Sequence, residues 1–118
     1  MHDFKKLKVW QYSVTLTNEI YKVTSKFPNS ENYGLTNQIN RAVISISSNI
    51  AEGSGRSGKN DFLRFLDISN GSAFELESQL LIAYNLGYLD KDQLNVTIYK
   101  VREIQKMIQG IKSYNKTK

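Results

Sequence analysis

The stretch Gln38–Gly53, QINRAVISISSNIAEG, constrains the fold more than any other part of the chain. Ile39, Ala42, Ile46 and Ile50 recur at steps of three and four, the spacing that lines one face of an α-helix. A second row at the same spacing is wholly polar: Gln38, Arg41, Ser45, Asn49 and Glu52. Val43 and Ile44 fall outside both rows, so apolar residues reach round most of the circumference. A helix apolar on more than one side belongs inside a bundle or between subunits. The segment reads as a central helix with a polar seam.

The flanking sequence supplies three more helices. The first is expected from about Asp3 to about Ser25, with Phe4, Leu7, Trp10, Val14 and Tyr21 in one apolar row and Leu16, Ile20 and Val23 in an adjoining one. Phe27-Pro28 ends it, because proline disfavours helical geometry in the residue before it. NSENYG is a short polar connection, and Gly53-Ser54-Gly55-Arg56-Ser57-Gly58 is expected to stop the central helix. A third helix is expected from Ser57 or Asn60 to about Leu86, on Phe62, Phe65, Leu66, Ile68, Leu76, Leu80 and Ala83. Ser69-Asn70-Gly71-Ser72 interrupts it with poor helix formers, marking either a close approach from a neighbour or a kink. Gly87 is expected to stop this helix and Asp90 to cap the last, where Leu94, Ile98, Val101, Ile104, Ile108 and Ile111 keep a heptad-like spacing. The tail Tyr114–Lys118 is expected to fray. Connections this short predict an all-α fold: one domain, residues 1–118, built as an antiparallel up-down-up-down four-helix bundle.

The charge is uneven. Residues 1–26 and 91–118 hold twelve Lys and Arg against four acids, net +8, whereas 27–90 is net −3. Such a basic surface favours polyanions without reading their sequence; a solvated lysine-rich face is the other reading. With no cysteine, disulfides and thiolate metal sites are excluded. No signal peptide and no membrane-spanning run of about 18 apolar residues is visible, so a cytoplasmic location without a membrane partner is expected.

Catalysis has few candidates. His2 is the only histidine and stands beside the initiating methionine. Glu75 and Glu77 point about 200° apart on a helix, and paired-metal bundles complete their carboxylates with histidines this chain lacks. Ser45, Ser47 and Ser48 come with no identifiable base. GSGRSGK has neither the preceding strand nor the spacing of a phosphate loop, although Gly55, Arg56 and Lys59 could hold an anion at the start of the third helix. The chain is therefore expected to be no enzyme, with no catalytic residue, metal or cofactor. The polar seam leaves two readings open. A buried Arg41 needs a carboxylate, Glu75 or Glu77 across the bundle, with Asn49 and Glu52 bonded near the glycine turn, toward the Gly71 region or a second subunit. Otherwise the seam is a solvated helix face.

Several segments together resemble a known family: Phe27-Pro28, Tyr33-Gly34-Leu35, Arg41-Ala42, Asn49-Ile50-Ala51-Glu52-Gly53, Gly71-Ser72, Glu75-Leu76-Glu77 and Gln79-Leu80. The chain is similar to bacterial four-helix-bundle proteins of intervening sequences in 23S ribosomal RNA genes, also called ribosomal-protein-like. It departs from their pattern at Ser69, where alanine is more common. The resemblance implies a homopentamer without enzymatic activity, related to the nucleic-acid-binding accessory protein of diversity-generating retroelements. A closed ring would account for the central helix and repeat the basic surface five times. The expected function is an oligomeric scaffold binding nucleic acid, with RNA the expected ligand and Lys5, Lys8, Lys100, Lys106 and Lys112 as phosphate contacts. The alternative is a module that binds a protein partner such as a polymerase.

Overall fold

The computed structural model describes residues 3–116. Its four helices are α1 (Lys8–Thr24), α2 (Leu35–Ser54), α3 (Lys59–Asn85) and α4 (Lys91–Lys116). Each packs against the next, α1 closes on α4, and the α2–α3 contact is the most extensive. Cross-helix bonds run antiparallel throughout. Thr24 meets Asn40, Ile46 meets Ser69, Glu77 meets Arg102 and Glu19 meets Lys100. The bundle encloses Leu16, Ile20, Ile39, Ile46, Ile50, Leu66, Leu76, Leu80, Ile104 and Ile108, each under 2% exposed. Burying a side chain of this size stabilises by about 1.5–3 kcal/mol.

The first helix is shorter than its apolar pattern suggests. Phe4–Lys6 forms a separate 3-10 turn capped by the Asp3 carboxylate, and Leu7 is extended before α1 begins. This break resets the helical phase. The buried stripe is Val9, Ser13, Leu16, Ile20 and Thr24, while Phe4, Leu7, Trp10 and Val14 sit half-buried at the flank and Tyr21 is exposed. Ser13 and Thr24 are tolerated inside because their hydroxyls donate to the Trp10 carbonyl and to Asn40 Oδ1, at 2.7 and 2.9 Å.

Helix α2 stops inside the expected Gly53–Gly58 segment, continuing through Ser54 and ending in right-handed geometry at Gly55, so Gly53 itself is still helical. Gly53 is instead where α2 and α3 come closest: a Cβ built there would lie 2.6 Å from Phe65 Cβ and 3.3 Å from Phe62 Cδ1. The small residues of α3 serve the same contact. Ser69 Oγ donates to the Ile46 carbonyl at 2.8 Å, buried, and the Ser45 and Ser72 hydroxyls meet at 2.8 Å. The helix passes through Ser69–Ser72 without interruption, so close approach rather than a break explains Ser69 and Ser72, while Gly71 faces open space. Ile44 and Ile68, expected to be covered, are 41% and 42% exposed in the protomer.

Gly87 ends α3 with φ +81°, and its N–H bonds to the Tyr84 carbonyl while that of Tyr88 reaches Ala83. This is the paired bonding of a glycine helix stop. Asp90 Oδ1 accepts the Gln93 N–H at 2.8 Å, and Gln93 Oε1 accepts that of Asp90 at 3.2 Å, which caps α4 reciprocally. The tail is helical as far as Lys116; residues 117–118, expected to fray with it, lie outside the described residues.

Candidate nucleic-acid interface

Helices α1 and α4 carry the basic ends of the chain and lie side by side. The structure separates their lysines into two kinds. Lys100 Nζ reaches Glu19 Oε2 at 2.6 Å, and Lys112 is paired with Asp67 of α3, so both tie helices together. Lys106 is 77% exposed and only loosely paired with Glu103, at 3.6 Å within one turn of α4. Lys5 and Lys8 are exposed and make no ion pair among the described residues, as are Lys6, Lys22 and Lys26. Of the five expected phosphate contacts, Lys5, Lys8 and Lys106 are therefore available and Lys100 and Lys112 are engaged. Lys22, not among the expected contacts, is equally exposed, and Lys8, Tyr12, Thr15, Glu19 and Lys22 follow one another at steps of four and three along one flank of α1.

Between the two helices runs an open groove. One part, of 270 Å³, is lined by Tyr12, Thr15, Leu16, Glu19, Tyr99, Lys100, Glu103 and Ile104. The next, of 390 Å³, is lined by Lys8, Tyr12, Glu103, Lys106 and Met107. The Tyr99 hydroxyl donates to Glu103 Oε1 at 3.0 Å. That hydrogen bond, reinforced by the carboxylate charge, holds the Tyr99 pKa above its ordinary value.

The polar seam of α2 is not enclosed by the protomer. Gln38, Arg41 and Glu52 are exposed, and Ser45 and Asn49 are half-buried. Arg41 has no ion pair among the described residues, so within the protomer the reading that bonds it to Glu75 or Glu77 fails and the other, a solvated helix face, fits. Glu77 is taken by Arg102, with Nη2 to Oε2 at 2.9 Å, and Glu75 faces Gln79 on its own helix at 3.4 Å. The two carboxylates diverge because they are two residues apart on a helix. Arg102 is consequently held above its ordinary pKa by the hydrogen bond and charge of Glu77. Asn49 donates to Ser45 at the middle of the seam, and Glu52 accepts from Arg56 at 3.0 Å in the glycine turn. That Arg56 also lies 5.1 Å from the centroid of the Phe65 ring, so it is drawn back onto the protein rather than held out beside Gly55 and Lys59.

Among the described residues no group of His, Cys, Asp and Glu could hold a metal ion, and no helix is long and apolar enough to cross a membrane. His2 lies outside the described residues.

Comparison with known proteins places this arrangement. The profile of the 23S rRNA-intervening sequence protein family matches residues 5–110. The chain is also similar to a crystal structure from Bacteroides thetaiotaomicron VPI-5482, a protein of unknown function from the S23 ribosomal protein family. The two share 25% sequence identity over 87% of this chain and 96% of that one, with a TM-score of 0.78. No curated protein matches. Neither of these two descriptions names an enzymatic activity. The match covers α1 to α3 and most of α4, and the chain belongs to the family of 23S rRNA-intervening sequence proteins.

Proposed function

We propose that this chain is a non-enzymatic, homo-oligomeric scaffold that binds RNA through the basic surface of α1 and α4. The observation that carries the reading is a group of exposed lysines left without a carboxylate near the start and end of α1, Lys5, Lys6, Lys8, Lys22 and Lys26, with Lys106 exposed on α4. Exposed, unpaired lysines bind phosphates and release counterions, and they do so whatever the base sequence. The family name supports RNA as the polyanion, since it ties these proteins to 23S rRNA genes. Assembly, a pentamer by family resemblance, is supported by the exposed face of α2 and α3. There Ile68, Glu75 and Ile82 form one stripe at steps of seven, with Arg41 across the groove from Glu75. A ring would repeat the lysine face around its rim.

The test is affinity for a structured RNA across a salt series. Binding should weaken steeply with salt, and Lys5→Gln with Lys8→Gln should reduce the salt slope by about one per contact removed. An affinity that ignores salt would sink the reading. A second reading, a docking module for a protein partner, is favoured by one feature: a 480 Å³ apolar groove lined by Leu7, Val9, Phe62, Met107, Ile111 and Tyr114. Partner binding that survives charge reversal of Lys5, Lys8 and Lys106 would support it.

A further inference from the structure

Two tyrosines stand in the middle of the lysine face, and charge alone gives them no role. Tyr12 of α1 is 56% exposed and Tyr99 of α4 is 63% exposed, yet both line the same 270 Å³ groove. They are near enough for Tyr12 to contribute to the raised pKa of Tyr99. Leaving two rings this open forfeits the burial that usually fixes an aromatic side chain. Tyr99 is instead steadied by its hydroxyl, which donates to Glu103 and leaves most of the side chain open to solvent. The groove's acids are also answered. Glu19 is paired with Lys100, and Glu103 receives Tyr99 and Lys106. Lys8 and Lys106 flank the tyrosines where the groove continues, and Lys22 follows Glu19 one turn along α1. The exposed ring of Phe74, by contrast, precedes Glu75 and Glu77 on α3.

Aromatic rings between cations are the means by which proteins hold unpaired nucleotides. Bases stack on the rings while lysines meet the backbone, and a base-paired duplex offers no free base face to stack. We propose that the α1–α4 groove is a site for single-stranded RNA, with Tyr12 and Tyr99 stacking on bases and Lys8 and Lys106 contacting the flanking phosphates. This rests on the reading of the chain as an RNA binder and adds the strandedness of the ligand and the residues that select it. Stacking is tolerant of base identity, so the site prefers unpaired regions such as loops and ends without reading one sequence.

The experiment is fluorescence anisotropy with a labelled single-stranded RNA of mixed sequence, the same RNA annealed to its complement, and the matching single-stranded DNA. The parent should bind the single-stranded RNA more tightly than the duplex. Tyr12→Ala with Tyr99→Ala should weaken single-strand binding about tenfold or more while leaving duplex binding unchanged. Tyr12→Phe with Tyr99→Phe, which keeps the rings and removes the hydroxyls, should restore most of it. Equal single-strand affinity in the parent and the double alanine variant would overturn the stacking site. If Lys8→Glu with Lys106→Glu then weakened both strand forms, the broader RNA reading would stand without it. A parent that binds neither RNA at low salt would overturn both. Should the alanine variant fold poorly, a thiouridine-substituted single strand photocrosslinked to the parent gives an independent answer. Adducts at Tyr12 or Tyr99 support the site, and adducts confined to other residues overturn it. Equal affinity for the single-stranded DNA would keep the stacking site and remove any role for the ribose hydroxyl.

Discussion

The Tyr88 hydroxyl donates to Glu31 Oε2 at 3.0 Å, while Glu31 Oε1 accepts the Leu35 N–H at 3.0 Å. One carboxylate thus caps the start of α2 and ties it to the turn between α3 and α4. Glu31→Ala removes both bonds at once and should destabilise the protein by about 1–2 kcal/mol, read as a lower midpoint in urea.

The same contact makes a pH prediction. The hydrogen bond and charge of Glu31, with burial, hold the Tyr88 pKa above 10.0. The folded chain therefore keeps this proton more tightly than the unfolded chain does. Stability from the contact is fully present below the unfolded value and is lost as pH rises through the folded one. Tyr88→Phe should melt with less alkaline sensitivity than the parent between about pH 9 and 11. Tyr99, raised by Glu103, shifts in the same direction, so Tyr99→Phe is the needed comparison.

Two glycines should respond oppositely to alanine. At Gly53 the new Cβ would meet Phe65 Cβ at 2.6 Å, an atom close to the backbone of α3 that cannot swing aside. Gly53→Ala should cost about 1–3 kcal/mol. At Gly71 nothing lies within 4 Å of the same atom. Gly71→Ala should raise protomer stability by about 0.5–1 kcal/mol through helix propensity. Thermal melts of the two variants side by side check both signs.

The contrast shows which parts of the fold were legible in the sequence. Ile39, Ala42, Ile46 and Ile50 announced the buried face of α2 because helical spacing depends only on the chain itself. Gly87 and Asp90 were equally readable, since a left-handed residue and a cap are local requirements. Gly53 was not, because its role is set by Phe65, twelve residues on and in another helix. The lysines show the same limit. Composition placed them on α1 and α4, but only three-dimensional neighbours distinguish Lys100 and Lys112, held by Glu19 and Asp67, from Lys8. Tyr12 and Tyr99 lie 87 positions apart, and no single-chain periodicity links them.

That division of lysines can be measured. Lys112→Gln removes an interhelical pair in which the lysine is 17% exposed and Asp67 59% exposed. It should cost at most about 1 kcal/mol of stability and leave the salt slope of RNA binding unchanged. Lys8→Gln should do the reverse, with an unchanged melt and a slope smaller by about one. If Lys112→Gln reduces the slope as much as Lys8→Gln, the ion pair opens to phosphate and the division fails.

Arg41 makes the assembly testable separately from RNA. In the protomer it is exposed without an ion pair, beside a 480 Å³ concavity shared with Asn37, Gln38, Glu75, Ser78 and Gln79. Gln79 is 8% exposed, and its Oε1 has no hydrogen-bond donor among the described residues. Arg41→Ala should therefore melt within about 0.5 kcal/mol of the parent when dilute, because the protomer gives the side chain no partner. Its solution mass by light scattering should fall toward that of one chain, and Lys106→Gln, on α4, should keep the parent mass. An Arg41→Ala protein with the parent mass would exclude this face as the contact between subunits. It would leave the α1–α4 lysines to act without a ring.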